Sequence, residues 1–395
     1  MNAGLSELPV VQPVSAVQAA PRRATSQAVA LTAVDCLTPF GNARATAEAL
    51  RRGESALTFQ PVLGCDGGDR VPLALCNEWQ PTEGDEPRWA TPFFALLAGV
   101  PDRPWGTERF PIFIVSSNFG IDSMYAHHRY PRDEGQLPFI LPQRLTAWIR
   151  QRQGWGPNVT HYSHACVSAN LGLLYASRQV TAGMADEALV VSYDFLSPFV
   201  TGGFHAMKIL LPDAMPAPYG DREFGAIGLG DGAAFAVVSP VGTGGGDFQL
   251  AAQEGCNEMY HFTGNHPEGI GMSELGRRMQ AAAGDRPVWI KGHGTGTIEA
   301  GRLEARHMAA LFPESPLVGW KGGLGHTLGS CGLVELALAV ESVRHGRAPG
   351  TVGTTGACYS EQVATAPFDV ARFGGVVLNA YAFGGAHYAC LLCHD

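Results

Sequence analysis

A cysteine set between a strand and a helix constrains this chain more than any other feature. Asn158-Val159-Thr160-His161-Tyr162 has the β-branched and aromatic character of a strand. Ala165-Cys166 follows at once, and small and apolar residues over 167–180 predict a helix ending near Gly183. Ala188-Leu189-Val190-Val191-Ser192-Tyr193-Asp194 predicts the next strand. Strand, cysteine, helix and strand in that order call for an α/β fold with covered sheets. A helix N-terminus offers free N–H groups and partial positive charge, which favour thiolate over thiol at Cys166. The N–H of Cys166 is also placed to hold a developing oxyanion. Alone, a cysteine in an apolar stretch is more often a small buried residue.

The rest of the chain alternates in the same way. Strands are expected over 28–34, 111–117, 233–238, 248–252 and 288–291, and helices over 43–52, 300–312 and 329–344. Two closing strands flank Phe383-Gly384-Gly385, and residues 60–90, rich in Gly, Asp and Pro, read as surface loops. A chain of 395 residues can form two core-bearing units. The Gly-rich run 242–246 marks a boundary, giving a flexible tail 1–26, an N-terminal half 27–240 and a C-terminal half 241–395.

Composition excludes several classes. A formal net charge of −9 disfavours nucleic acid or an anionic membrane as a partner through overall charge, though a local basic patch could still receive an acidic carrier. Nine cysteines without a CxxC pair are no disulfide framework and point to a reducing, intracellular setting, hence the cytoplasm. The first residues lack the basic and uninterrupted apolar segments of a signal peptide, and no stretch is apolar enough to span a bilayer. His161 and His164 have no matching cysteine pair, so no metal site is expected. Gly228-Leu229-Gly230-Asp231-Gly232 lacks the spacing of a dinucleotide loop.

Two histidines accompany the cysteine. His293 lies in Gly292-His293-Gly294-Thr295-Gly296-Thr297 and His326 in Gly325-His326-Thr327-Leu328-Gly329. Flanking glycines leave each imidazole accessible and let a substrate approach. A cysteine with two such histidines forms a nucleophile-plus-imidazole set.

These segments, taken in order, resemble the β-ketoacyl-acyl-carrier-protein synthases, in the elongating type II branch of the thiolase-like superfamily. The resemblance runs from Val34-Asp35-Cys36-Leu37-Thr38-Pro39-Phe40-Gly41 through Pro218-Tyr219-Gly220-Asp221 and Lys321 to Phe383-Gly384-Gly385. It implies a five-layered αβαβα duplication and a decarboxylating condensation. Cys166 would carry the acyl group, and His293 and His326 would support loss of CO2 from malonyl-carrier. Lys321 would set charge around His326, and Glu304 would join that network. The N–H groups of Cys166 and Phe383 would form an oxyanion hole, with Phe383 also an aromatic gate. Thr295, Thr297, Gly384 and Gly385 would bind substrate. The implied partners are an acyl carrier protein, malonyl and acyl thioesters, and a second subunit, either identical or a related ketosynthase. No cofactor is implied beyond the phosphopantetheine that the carrier brings.

The sequence departs from the family pattern at Ala300-Gly301, where Asn-Asp is usual, at Gly230-Asp231-Gly232 for Gly-Glu-Gly, and at Ala386-His387. The Cys-His-His set is intact, which argues against a chain-length-factor paralogue without the nucleophile. The departures favour specialised metabolism over primary fatty-acid synthesis. Two alternatives stand beside condensation: acyl transfer to an amine or alcohol on the same fold, and service as partner subunit to another ketosynthase.

Overall fold

The computed structural model describes residues 28–65, 68–79, 86–129, 139–243, 247–261 and 263–394. The expected tail 1–26 and part of the Gly-rich run at 244–246 lie outside the described residues.

In the first half the strands are β1 (Val29–Leu37), β2 (Thr58–Pro61), β3 (Arg70–Ala74), β4 (Ile112–Val115), β5 (Val159–Tyr162), β6 (Ala188–Asp194), β7 (Leu229–Gly230) and β8 (Gly232–Pro240). Its helices are α1 (Ala43–Arg51), α2 (Ala90–Leu97), α3 (Ile121–Arg129), α4 (Pro142–Gln153), α5 (Ser168–Thr181) and α6 (Pro198–Ala206). The second half has β9 (Phe248–Asn257), β10 (Val288–Lys291), β11 (Leu317–Val318), β12 (Arg347–Ala348), β13 (Phe368–Asp369), β14 (Gly375–Ala382) and β15 (Ala386–His394). Its helices are α7 (Ile270–Ala283), α8 (Ile298–Leu311), α9 (Lys321–Leu324) and α10 (Cys331–His345).

Strand order exposes a duplication. One half runs β5-β4-β6-β8-β1 and the other β11-β10-β14-β15-β9. In both, the first three neighbours pair in parallel and the last two pairings are antiparallel. The halves meet where β1 pairs with β9 through Val29–Leu250 and Ala30–Gln249, completing a ten-stranded sheet.

Side-chain alternation along the strands creates the layers. On β4, Phe113 and Val115 face the central core, whereas Ile112 and Ile114 face an outer cluster with Phe93, Leu145 and Ile149 of α2 and α4. On β14, Val376, Leu378 and Ala380 face the central core and Val377 faces the opposite outer cluster, with Leu275, Met279 and Met308 of α7 and α8. Helices α5 and α10 pack together between the two five-stranded halves of the sheet. Apart from Glu341, α10 is buried from Cys331 to Ser342, as a helix that is apolar on nearly all sides must be. The fold is therefore the expected α/β layered one.

The central layer fixes the nucleophile. A Cβ at Gly172 of α5 would come 2.7 Å from Val115 Cγ1, so glycine lets the helix sit directly on β4. At the α5–α10 contact, a Cβ at Gly332 would overlap the Asn170 side chain at 2.2 Å.

Within the expected loop region 60–90, residues 70–74 form a strand. There β3 is buried from Val71 to Ala74 and joins β2 and β7 in a small sheet. Val71 and Leu73 supply its apolar packing.

Candidate active site

Cys166 sits on a sharp turn between β5 and α5. Ala165 takes φ +45°, a left-handed conformation costly for a residue with a Cβ. Ser168 braces the turn: its hydroxyl accepts the N–H of His164 at 2.7 Å and donates to the Ala165 carbonyl at 2.7 Å. Val167 N–H closes the turn on the His164 carbonyl at 3.2 Å. From α10, Cys331 Sγ donates to the Cys166 carbonyl at 3.3 Å.

The expected thiolate is not what this geometry favours. Helix α5 begins only at Ser168, and Cys166 is buried; burial, then the neighbouring Cys331, push its thiol far above the ordinary cysteine range. Lys321 pulls the other way with a smaller effect. That shift favours the thiol over the thiolate in the resting site.

His293 follows β10, where Lys291 ends the strand. Its backbone is pinned by Glu304 of α8, whose carboxyl group accepts the N–H of His293 at 2.8 Å and of Gly294 at 3.2 Å. Lys321 donates to the His293 carbonyl at 2.7 Å and stands 3.5 Å from its Nδ1. By hydrogen bonding, then, Lys321 serves His293; the expected influence on His326 is electrostatic. Glu335 of α10 pairs with Lys321 at 2.6 Å and also with Lys291, so two buried ammonium groups share one carboxyl group.

His326 is oriented by its own loop. Leu328, itself at φ +52°, donates its N–H to His326 Nδ1 at 3.1 Å. An acceptor Nδ1 in a neutral ring leaves the proton on Nε2. That Nε2 is buried and has no hydrogen-bond partner among the described residues. The rings of His293 and His326 lie 5.2 Å apart between centroids, at 84°. Burial, followed by the positive charge of Lys321, holds both imidazoles well below the ordinary histidine range. Both rings are neutral near pH 7 and present N–H donors.

Cys166, His293, His326 and Phe383 line one cavity of about 510 Å³. Its apolar wall includes Phe204, Ile209 and Ile227; Thr263, Asn265, Thr295 and Thr297 add polar groups. The Thr295 and Thr297 hydroxyls are 3.0 Å apart. Phe383 stacks on Phe204 with centroids 6.0 Å apart. Gly384 and Gly385 turn the chain after Phe383 at φ +83° and +73°. A Cβ at Gly385 would come 3.0 Å from Glu258 and Met259, so this turn requires glycine. Ala300 lies at the cavity wall with Glu299 beside it, so no side-chain amide stands at position 300.

Sequence reasoning passed over Lys291, Glu335, Cys331 and Tyr381, whose ring lines the cavity 5.7 Å from that of His293 between centroids. For the first two a signal existed: a lysine at the end of Val288-Trp289-Ile290 and a glutamate inside Leu333-Val334-Glu335-Leu336 are charges in otherwise apolar runs. Cys331 and Tyr381 carry no such mark.

The duplicated sheets and the central helix pair define a thiolase-like fold, with a cysteine and two histidines lining one cavity. Residues 250–355 match the family model for the β-ketoacyl synthase C-terminal domain. A 3-oxoacyl-[acyl-carrier-protein] synthase 2 of Coxiella burnetii is 26% identical over 75% of this chain and 74% of its own length. The tetracenomycin polyketide synthase ketoacyl synthase alpha subunit of Streptomyces glaucescens is 29% identical over 55% of each chain. This chain thus spans about three quarters of the first relative and about half of the second. Among solved structures, a Xenorhabdus doucetiae ketosynthase in complex with its chain length factor superposes with a TM-score of 0.76 at 22% identity, over 93% of this chain and 98% of that one. The ishigamide ketosynthase/chain length factor gives 0.79 at 19% identity, over 93% and 99%. Residues 250–355 thus match a β-ketoacyl synthase C-terminal domain, and the chain as a whole shares its fold with these ketosynthase structures. No helix among the described residues is long and apolar enough to cross a membrane.

Proposed function

We propose that the protein condenses acyl thioesters with loss of CO2. The observation that carries this reading is the unpartnered His326 Nε2 in the same cavity as Cys166 and the neutral His293. Condensation needs a nucleophile to hold one acyl group and neutral donors to hold an enolate, and these residues meet both needs.

In the first half-reaction the Cys166 sulfur attacks the carrier thioester, with the N–H groups of Cys166 and Phe383 holding the oxyanion. The acyl group moves to Cys166, and the thiol proton ends on the departing carrier sulfur. In the second, the malonyl C–C bond breaks, CO2 leaves, and its electron pair delocalises onto the thioester oxygen. The Nε2–H groups of His293 and His326 stabilise that charge without giving up their protons, as preorganised donors do. The enolate carbon attacks the Cys166 thioester, and collapse of the adduct yields a 3-oxoacyl-carrier and expels Cys166 as thiolate, which takes a proton from water to restore the thiol. Lys321 and Glu304 hold His293. Thr295, Thr297, Gly384 and Gly385 contact the incoming arm.

The carbon acid and both thioesters come from the carrier, so the chemistry calls for no metal or redox cofactor. The partners are an acyl carrier protein and a second ketosynthase-like subunit, identical or related. We assign the latter to the edge of β5, which ends the sheet order among the described residues and where Tyr162 stacks on the half-exposed Tyr175 at 5.1 Å. The setting is cytoplasmic, in specialised fatty-acid or polyketide-type metabolism. Acyl transfer to an amine or alcohol would not use the pair of imidazole donors in this way.

Intact-mass spectrometry with a panel of acyl-carriers tests the first half-reaction. Acyl mass should appear on the wild type and be absent from Cys166→Ala. Equal acylation of both proteins would refute the role given to Cys166.

A further inference from the structure

Tyr219 stands behind His293 in an unusual state. Its backbone takes φ +59°, a conformation that bulky side chains rarely adopt, and the residue is buried. Its carbonyl accepts the Tyr359 N–H at 3.0 Å, and the adjoining Pro218 carbonyl accepts the Thr354 hydroxyl at 2.6 Å, so the surroundings hold the strained segment in place.

The side chain fills a cradle of glycines. A Cβ at Gly292 would fall 2.0 Å from the Tyr219 hydroxyl, and one at Gly294 or Gly319 would meet the ring at 3.0 Å. Gly292 and Gly294 flank His293, so the phenol ring lies against the backbone on both sides of that imidazole. The hydroxyl donates to Glu304 at 2.7 Å. Burial, then Glu304, push the phenol well above the ordinary tyrosine range, so it stays a donor. The Glu304 carboxyl group is the one that accepts the His293 and Gly294 N–H groups, with Asn379 at 3.4 Å from it.

We propose that Tyr219 is a positioning residue for His293: its hydroxyl orients the Glu304 carboxyl group, which in turn fixes the height of the imidazole in the cavity. The kinetic consequence rests on the condensing reading; the structural consequence does not. A strained backbone is tolerated where a side chain must reach one place, and the only polar reach of this side chain in the described structure is to Glu304.

Tyr219→Phe removes the hydroxyl and leaves the ring in its cradle. Two measurements are made on the full chain. Release of CO2 from malonyl-carrier by the acyl-loaded enzyme should fall about tenfold in kcat with KM little changed, because a hydrogen bond to an acidic group is lost behind a donor that acts only in that step. Acyl loading of Cys166 should remain within about twofold of wild type, since His293 takes no part in it. In parallel, ¹⁵N-histidine NMR should show the His293 ring resonances, identified by their loss in His293→Asn, displaced in Tyr219→Phe. Unchanged CO2 release with unchanged His293 resonances would overturn the proposal, and so would an equal loss of loading and CO2 release. A wild type that releases no CO2 would instead sink the condensing reading, and the NMR comparison would still decide the role of Tyr219. Should Tyr219→Phe not fold, Glu304→Gln carries the test: it must displace the same His293 resonances, and failure to do so overturns the relay.

Discussion

The N–H of Leu328 reaches Nδ1 of His326 at 3.1 Å, and that contact decides which nitrogen of the imidazole carries the proton. The remaining N–H is buried without a protein partner among the described residues, in the cavity that also holds Cys166. His326→Ala should therefore lower CO2 release by about 100-fold or more, the usual effect of deleting one oxyanion donor. Acyl loading should change far less. Assaying the two half-reactions separately checks this; parallel losses would show that His326 acts on both.

The raised Cys166 thiol makes a pH prediction. A group whose pKa lies above the working range gains thiolate about tenfold per pH unit, with no plateau at neutrality. Alkylation of the Cys166 peptide by iodoacetamide, followed by mass spectrometry, should accelerate continuously from pH 6 to 9. A plateau near pH 7 would mean that a thiolate is already stored in the resting site.

CO2 release should behave differently. His293 and His326 are held below the ordinary range, so each is already neutral at pH 6.5 and above. Across about pH 6 to 8 the decarboxylation rate should be nearly flat on their account. A tenfold fall between pH 7.5 and 6 would show that one of them titrates within that range.

Glu335 is shared by Lys291 and Lys321 in the protein interior. Burial pushes Lys291 down to about 8; burial is also the largest single influence on Lys321, but Glu335, Cys331 and Glu304 together hold that ammonium above the ordinary lysine range. Glu335→Gln leaves these cations without their common counter-charge and should cost about 3–5 kcal/mol of stability. Urea unfolding measures it, and a loss below about 1 kcal/mol would show that the lysines are uncharged in the fold.

Ala165→Gly should relieve the left-handed strain before Cys166. The relief of about 1 kcal/mol is offset in part by the greater freedom of glycine in the unfolded chain. The expected outcome is stability equal to or slightly above wild type, with slower acyl loading because the turn is less rigid. Faster loading would show that the strain hinders the nucleophile.

Much of this was legible in the residues. The order of strand, Cys166 and helix, and the glycine-flanked His293 and His326, are local patterns, and the structure brings all three side chains to one cavity. The strand at 70–74 was hidden because Pro72 stands inside its apolar run of Val71, Leu73 and Ala74, and a proline argues against a strand. The state of Cys166 was misjudged because a helix N-terminus is visible in sequence, whereas burial is a property of the packed core. Tyr219 was visible only as part of a motif; its left-handed backbone and its grip on Glu304 depend on glycines 73, 75 and 100 residues further along the chain.

The most direct test of the account is product analysis after wild type loaded with an acyl-carrier meets ¹³C-carboxyl-labelled malonyl-carrier. The account predicts labelled CO2 and an equal amount of 3-oxoacyl-carrier, both lost in Cys166→Ala. Acyl loading with no labelled CO2 from either the isolated chain or its assembly with a second ketosynthase-like subunit would contradict it.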